Sequence, residues 1–128
     1  MSAIVIEKLS KTYGELRALD GLDLSVERGA VFGFLGPNGA GKTTTLRILA
    51  GVATPSSGRA WIEGIPVGLG GEARGMVGYL PEEPAYYPWM QANEFLGDLV
   101  GGLYGMDPYE ANLRGEEMLE LVGLQEAA

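Results

Sequence analysis

At 128 residues and 46% hydrophobic content, the chain has the length for one modest domain with a real core. It contains no cysteine and no histidine, which excludes disulfides, thiolate metal sites and any role for imidazole as base or ligand. The net charge of −8 is unevenly spread: residues 1–62 hold seven Lys/Arg against five Asp/Glu, and residues 63–128 hold two against twelve. An acidic second half argues against nucleic acid as the partner, since that binding rests on neutralising phosphates. On the residues alone it reads as a solvated helical surface. No run approaches the roughly 20 apolar residues of a membrane span. No basic region followed by an apolar stretch opens the chain. Both absences point to a reducing, cytoplasmic setting.

Residues 3–9 are β-branched and predict a strand. A turn follows at Tyr13-Gly14-Glu15, then a short strand over 16–19. Leu22-Asp23-Leu24-Ser25-Val26 alternates with period two and predicts a half-buried strand. Glu27-Arg28-Gly29 turns the chain into Ala30-Val31-Phe32-Gly33-Phe34-Leu35, short and apolar as a buried parallel strand is. A helix is predicted over 45–50, ended by Gly51. Thr54 to Gly58 is a turn cluster, 59–63 a strand, and 64–75 a glycine-rich loop. Met76-Val77-Gly78-Tyr79-Leu80 predicts a further strand, stopped by Pro81. After an aromatic, proline-rich connection at 84–89 the pattern turns helical. One helix is predicted over 92–104, weakened by Gly97, Gly101 and Gly102 at roughly 1 kcal/mol each. A second is capped by Asp107-Pro108 and runs to Val122, with Gly123 as its stop.

The run Gly36-Pro37-Asn38-Gly39-Ala40-Gly41-Lys42-Thr43-Thr44 fits G-x-x-x-x-G-K-[ST] at every fixed position, between a predicted strand and a predicted helix. Glycines at 36, 39 and 41 let the backbone curl and approach a ligand. Successive N–H groups then form an anion-binding nest, reinforced by the orphan donors and partial positive charge of the helix start. Lys42 adds a mobile cation for β- and γ-phosphates. The Thr43 hydroxyl suits Mg²⁺, which keeps phosphate oxygens and waters in its shell.

With these motifs the chain resembles the nucleotide-binding subunit of ATP-binding cassette (ABC) transporters along essentially its whole length. The resemblance rests on Leu19 to Leu24, the loop Gly36 to Thr44, Leu49-Ala50-Gly51, Pro55-Ser56-Ser57-Gly58 and Gly78-Tyr79-Leu80-Pro81. Among such subunits it is most similar to ATPases of bacterial export systems. It implies an α/β fold: the P-loop NTPase core of an ABC ATPase, with an antiparallel β subdomain and the start of a helical subdomain. Residues 1–89 would hold the nucleotide-binding core, and 90–128 would begin the helical part.

The resemblance also implies roles. ATP and Mg²⁺ would bind at Gly36, Pro37, Asn38, Gly39, Ala40, Gly41, Lys42, Thr43 and Thr44, with Thr44 adding a hydroxyl to the α-phosphate. Tyr13, in Lys11-Thr12-Tyr13-Gly14, would stack on adenine; the residues alone leave it equally a turn tyrosine. Lys42 and Glu82 would act in catalysis, and Thr43 and Glu82 would hold the metal. Glu82 departs from the family's usual glutamine: an ionised carboxylate only accepts hydrogen bonds, holds Mg²⁺ more strongly and repels the γ-phosphate. The alternative is that Glu82 and Glu83 form a solvated acidic turn. Trp61 reads as core; Tyr86, Tyr87 and Trp89 read as cover for the subdomain junction, the side that in this family faces the permease.

Three further family motifs are not found in these residues. The Leu-Ser-Gly-Gly-Gln signature has only weak echoes in Leu69-Gly70-Gly71-Glu72 and Val100-Gly101-Gly102. The apolar strand ending Asp-Glu is not met by Phe95-Leu96-Gly97-Asp98, which runs on into Leu99 inside a predicted helix. There is no switch histidine. The chain is therefore expected to be a piece of a longer cassette that binds MgATP without appreciable turnover. Its strands at 30–35 and 76–80 are expected to lack neighbours. The implied partners are ATP, a second ATPase subunit and a membrane permease, with no nucleic acid, at the cytoplasmic face of the cell membrane. The competing readings are a non-transport cassette ATPase of translation or DNA repair, and a nucleotide-binding module without catalysis.

Overall fold

The β-branched and alternating residues at the start of the chain form two long strands, β1 (Ser2–Tyr13) and β2 (Leu16–Glu27), joined by a tight turn with Gly14 at φ 59°. The computed structural model describes residues 1–36, 41–68 and 71–127, and the chain divides into two units, Met1–Tyr79 and Leu80–Ala128. In the first unit, β3 (Ser57–Ile62) and β4 (Ile65–Pro66) complete an antiparallel sheet of order β2-β1-β3-β4. The two strands predicted at 16–19 and 22–26 are one, because a bulge absorbs the break between them. Leu9 pairs with Leu22 and Lys11 with Leu19, so the extra residue falls on β2. Gly21, at φ 65°, donates its N–H there to Ser10 Oγ at 2.8 Å.

One face of this sheet carries the core. Ile6, Leu9, Leu19, Ala60 and Ile62 are buried against Ile48 and Leu49 of helix α1 (Lys42–Leu49), with Ala73 closing one side. Alternation on β3 sends Ala60 and Ile62 inward and leaves Trp61 half-buried on the other face, its ring 5.5 Å from the Arg59 guanidinium carbon. The expectation that Trp61 is core is thus corrected: strand parity places its neighbours there. Gly58, at φ 83°, is demanded by a close approach, since a Cβ there would lie 2.2 Å from the Lys8 carbonyl oxygen.

Two predicted strands do not form. Residues 30–35 pair with no strand among the described residues, and Val31 and Leu35 are 103% and 95% exposed. Residues 72–76 form a 3₁₀ turn, and the stretch that follows to Leu80 is likewise outside any sheet. The apolar composition of both segments favours a strand, but a strand exists only where a neighbour takes up its N–H and C=O groups. Neither segment pairs with a strand among the described residues.

The second unit is helical. α2 (Ala92–Glu94) passes through a π-helical turn (Phe95–Val100) into α3 (Gly101–Leu103), and α4 (Pro108–Leu121) packs against this composite helix. Asp107 caps α4 by accepting from the Glu110 N–H at 3.4 Å, and Gly123, at φ 74°, turns the chain out of it. Gly97 and Gly101 face α4 closely: a Cβ on Gly97 would lie 2.2 Å from Asn112 Oδ1, and one on Gly101 2.4 Å from Ala111 Cβ. Two of the three glycines that weaken this helix locally are what let it approach its neighbour.

Candidate functional site

The turn from Gly41 into α1 is the centre of the site. Gly41 adopts φ 89° and stands at the N-cap of α1, packed against the Ala18 carbonyl and the Leu19 side chain of β2. Among the described residues no side chain caps this helix, and its first turn carries no acidic residue. Its leading N–H groups and partial positive charge are therefore left for an external anion. The Lys42 ammonium donates to the Gly36 carbonyl, so the charge spans the mouth of the loop. Thr45 is buried and locks the turn from inside, donating both its hydroxyl (2.8 Å) and its N–H (2.9 Å) to the Gly41 carbonyl. Thr43 is exposed and Thr44 half-buried, so the Thr43 hydroxyl is open to a ligand.

Of the predicted loop residues, Pro37, Asn38, Gly39 and Ala40 lie outside the described residues. Gly36 meets Lys42 through the bond above, and Gly41, Lys42, Thr43 and Thr44 follow one another at the start of α1. Tyr13 stands at the end of β1 and is 46% exposed. The Lys11 ammonium lies 5.1 Å from the centre of that ring. Sequence reasoning gave Lys11 and Thr45 no role. The signal for Lys11 was its i, i+2 spacing from Tyr13, which puts both on one face of a strand.

Glu82 belongs to the second unit, where it is exposed in a stretch without regular structure. Among the described residues no group of three or more acidic side chains is gathered as a metal site. The donor set at the loop is instead a hydroxyl beside an ammonium and free helix N–H groups. That chemistry fits a magnesium–polyphosphate, in which the phosphates supply most of the oxygens around the metal.

In the second unit, Tyr86, Tyr87, Met90, Phe95, Leu96 and Leu124 line a mainly apolar groove of about 410 Å³. Tyr86 meets Phe95 edge-on at 5.1 Å, and Tyr87 lies 5.0 Å from Trp89, which is 76% exposed.

The family model described as "ABC transporter" matches residues 19–128. The chain belongs to the ABC transporter family. Its relatives include an uncharacterized ABC transporter ATP-binding protein, YxlF, of Bacillus subtilis, 44% identical over 96% of this chain and 40% of that protein. The linearmycin resistance ATP-binding protein LnrL of the same organism is 39% identical over 95% of this chain and 39% of its own length. The daunorubicin resistance ATP-binding protein DrrA2 of Streptomyces coeruleorubidus is 40% identical over 98% and 39%. The chain thus spans about two-fifths of the length of these relatives. A solved ATP-binding subunit of an ABC transporter matches with TM-score 0.76 and 29% identity, over 93% of this chain and 50% of that one. A dimeric ATP-binding cassette bound to ADP and Pi matches with TM-score 0.80 over 97% and 59%, at 24% identity. The fold is that of an ABC ATPase cassette, and the resemblance read from the motifs holds.

Proposed function

We propose that this chain is the nucleotide-binding portion of an export-type transporter ATPase, which couples ATP binding and hydrolysis to solute movement through a membrane permease. The observation that carries the proposal is the uncapped start of α1, with Gly41 left-handed behind it and Lys42 across the loop mouth. In this reading residues 36–44 hold the triphosphate, Lys42 neutralises the β- and γ-phosphates and Thr44 meets the α-phosphate. Tyr13 stacks on adenine. Thr43 and Glu82 hold Mg²⁺, which when bound neutralises phosphate charge during transfer. Glu82, at the position where the family usually has glutamine, would act on the attacking water.

Residues 1–89 serve as the nucleotide core and 90–128 as the beginning of a helical subdomain. The second ATPase subunit completes the site over the bound nucleotide, as the dimeric state of the ADP-bound cassette suggests. The permease contact is assigned to the apolar groove lined by Tyr86, Tyr87 and Phe95, next to the exposed Trp89. No helix among the described residues is long and apolar enough to cross a membrane. The chain would work at the cytoplasmic face, beside a separate membrane subunit.

Titration with MgATP, and with MgATP plus Lys42→Ala protein as control, tests the reading. Binding that is lost in Lys42→Ala, with no Lys42-dependent steady-state hydrolysis by the chain alone, is the expected result. Lys42-dependent turnover by the chain alone would overturn the claim that catalysis is completed elsewhere. Equal binding by both proteins would remove the loop from the nucleotide site.

A further inference from the structure

β1 carries, across from Leu19, a cation that forms no ion pair among the described residues. Between Leu9 and Tyr13 the bulges that interrupt the β1–β2 ladder lie on β2, so β1 alternates regularly over that stretch. Leu9, Lys11 and Tyr13 therefore share one face, and along it exposure rises from a buried leucine to a half-buried lysine to an exposed tyrosine. Lys11 stands directly across from Leu19, the residue on which Gly41 packs. The row thus runs past the strand position that seats the start of α1 and ends at the ring of Tyr13. Among the described residues Lys11 has no ion-pair partner; its ammonium lies over that ring.

A cation gains from the electron-rich face of a phenol, and the contact restricts the rotation of the ring. It also draws density from the ring, which favours an electron-rich purine stacked on the opposite face. We infer that Lys11 is a positioning residue for nucleotide: it holds one face of Tyr13, so that the base stacks on the other and the ring is clasped between an ammonium and a purine. The inference rests on the reading of residues 36–44 and Tyr13 as an ATP site, and it assigns Lys11 to the base rather than to the phosphates. It further predicts that base-free polyphosphate is indifferent to Lys11.

The experiment is a double-mutant cycle on this chain, with Lys11→Met, Tyr13→Leu and the pair, titrated with MgATP and with magnesium tripolyphosphate. Lys11→Met is expected to weaken MgATP binding about two- to five-fold, the range of an exposed cation–π contact. The loss should vanish in the Tyr13→Leu background, leave tripolyphosphate binding unchanged and be restored by Lys11→Arg. Equal loss for both ligands, or a loss that persists without Tyr13, would show that Lys11 acts on phosphate and overturn the inference. Tighter MgATP binding by Lys11→Met would overturn it too, because the lysine would then block the face the base needs. Unchanged binding by Lys11→Met, beside a large loss in Lys42→Ala, sinks this inference alone. No binding by the unsubstituted chain sinks the underlying site with it.

Discussion

Gly41 sits against Leu19 so closely that an added Cβ would lie 2.6 Å from Leu19 Cδ2, and as close to the Ala18 carbonyl oxygen. The helix that opens the phosphate site is thereby pinned to the sheet through a residue without a side chain. Gly41→Ala meets two penalties, the left-handed backbone at φ 89° and a clash against buried atoms. Together they cost about 2–4 kcal/mol. Gly21→Ala isolates the first of them, because Gly21 has φ 65° but nothing within 4 Å of its Cβ position. Its loss should be about 1 kcal/mol. Urea denaturation of the two variants checks the difference; equal losses would mean that Leu19 gives way.

The segment at 30–35 offers a sharper contrast. A buried apolar strand loses about 2–4 kcal/mol when a large side chain is cut back. Val31 and Leu35 are fully exposed here, and no strand pairs with them among the described residues. Val31→Ser and Leu35→Ser in this chain are therefore expected to change stability by no more than about 0.5 kcal/mol. Amide exchange should agree, with Val31 to Leu35 unprotected beside slow exchange at Val5 and Ile6. Protection at Val31 comparable to that at Ile6 would show that the segment is paired after all.

The same segments show how far the sequence can be read. Local pattern carried the strand–turn–strand run at the N-terminus, α1 with its glycine stop, and α4 with its Asp107-Pro108 start. Each of these is settled by residues within a few positions of one another. Strand formation at 30–35 and 76–80 depends instead on a neighbour, which composition does not report. The single strand β2 was hidden because Gly21 reads as a break, yet as a bulge residue it bends the strand without ending it. Trp61 was misplaced because its bulk suggests core, whereas strand parity decides in favour of Ala60 and Ile62. At the site, the nearness of Lys11 to Tyr13 was legible in their spacing; the seat of Gly41 on Leu19 was not, since it depends on tertiary packing.

The N-terminal ammonium and Glu27 form an exposed pair at 2.9 Å. The hydrogen bond to Glu27, and then its charge, raises the amino pKa above its ordinary 8.0. Glu27 is held below its ordinary 4.5 by the hydrogen bond from that ammonium, then by one from Ser2, then by the positive charge. The raised base contributes fully below its unfolded value and is lost as pH rises through the folded one. The lowered acid contributes above its unfolded value and is lost as pH falls through the folded one. The two windows overlap between about pH 4.5 and 8. Glu27→Gln should therefore lower Tm slightly at pH 6, and the difference should close at pH 3 and at pH 11. A difference that persists at both extremes would assign it to packing or to the Ser2 hydroxyl rather than to charge.

Gly101 and Gly102 are neighbours in one short helix, and their substitutions are expected to differ in sign. Both lie in helical backbone with negative φ, where replacing glycine by alanine favours the helix by about 1 kcal/mol. For Gly102 nothing lies within 4 Å of the Cβ position, so Gly102→Ala keeps that gain and should raise stability by about 0.5–1 kcal/mol. For Gly101 the new methyl would lie 2.4 Å from Ala111 Cβ on α4. Forced separation of the two helices costs about 1–3 kcal/mol, and more than offsets the helical gain. Gly101→Ala should thus be destabilising, and a compensating Ala111→Gly should recover most of the loss if the clash is its cause. Thermal melts of the four proteins decide it. A stabilising Gly101→Ala would mean that the helices are not packed as closely as these glycines imply, and the local weakness of the helix would then be the whole of their effect.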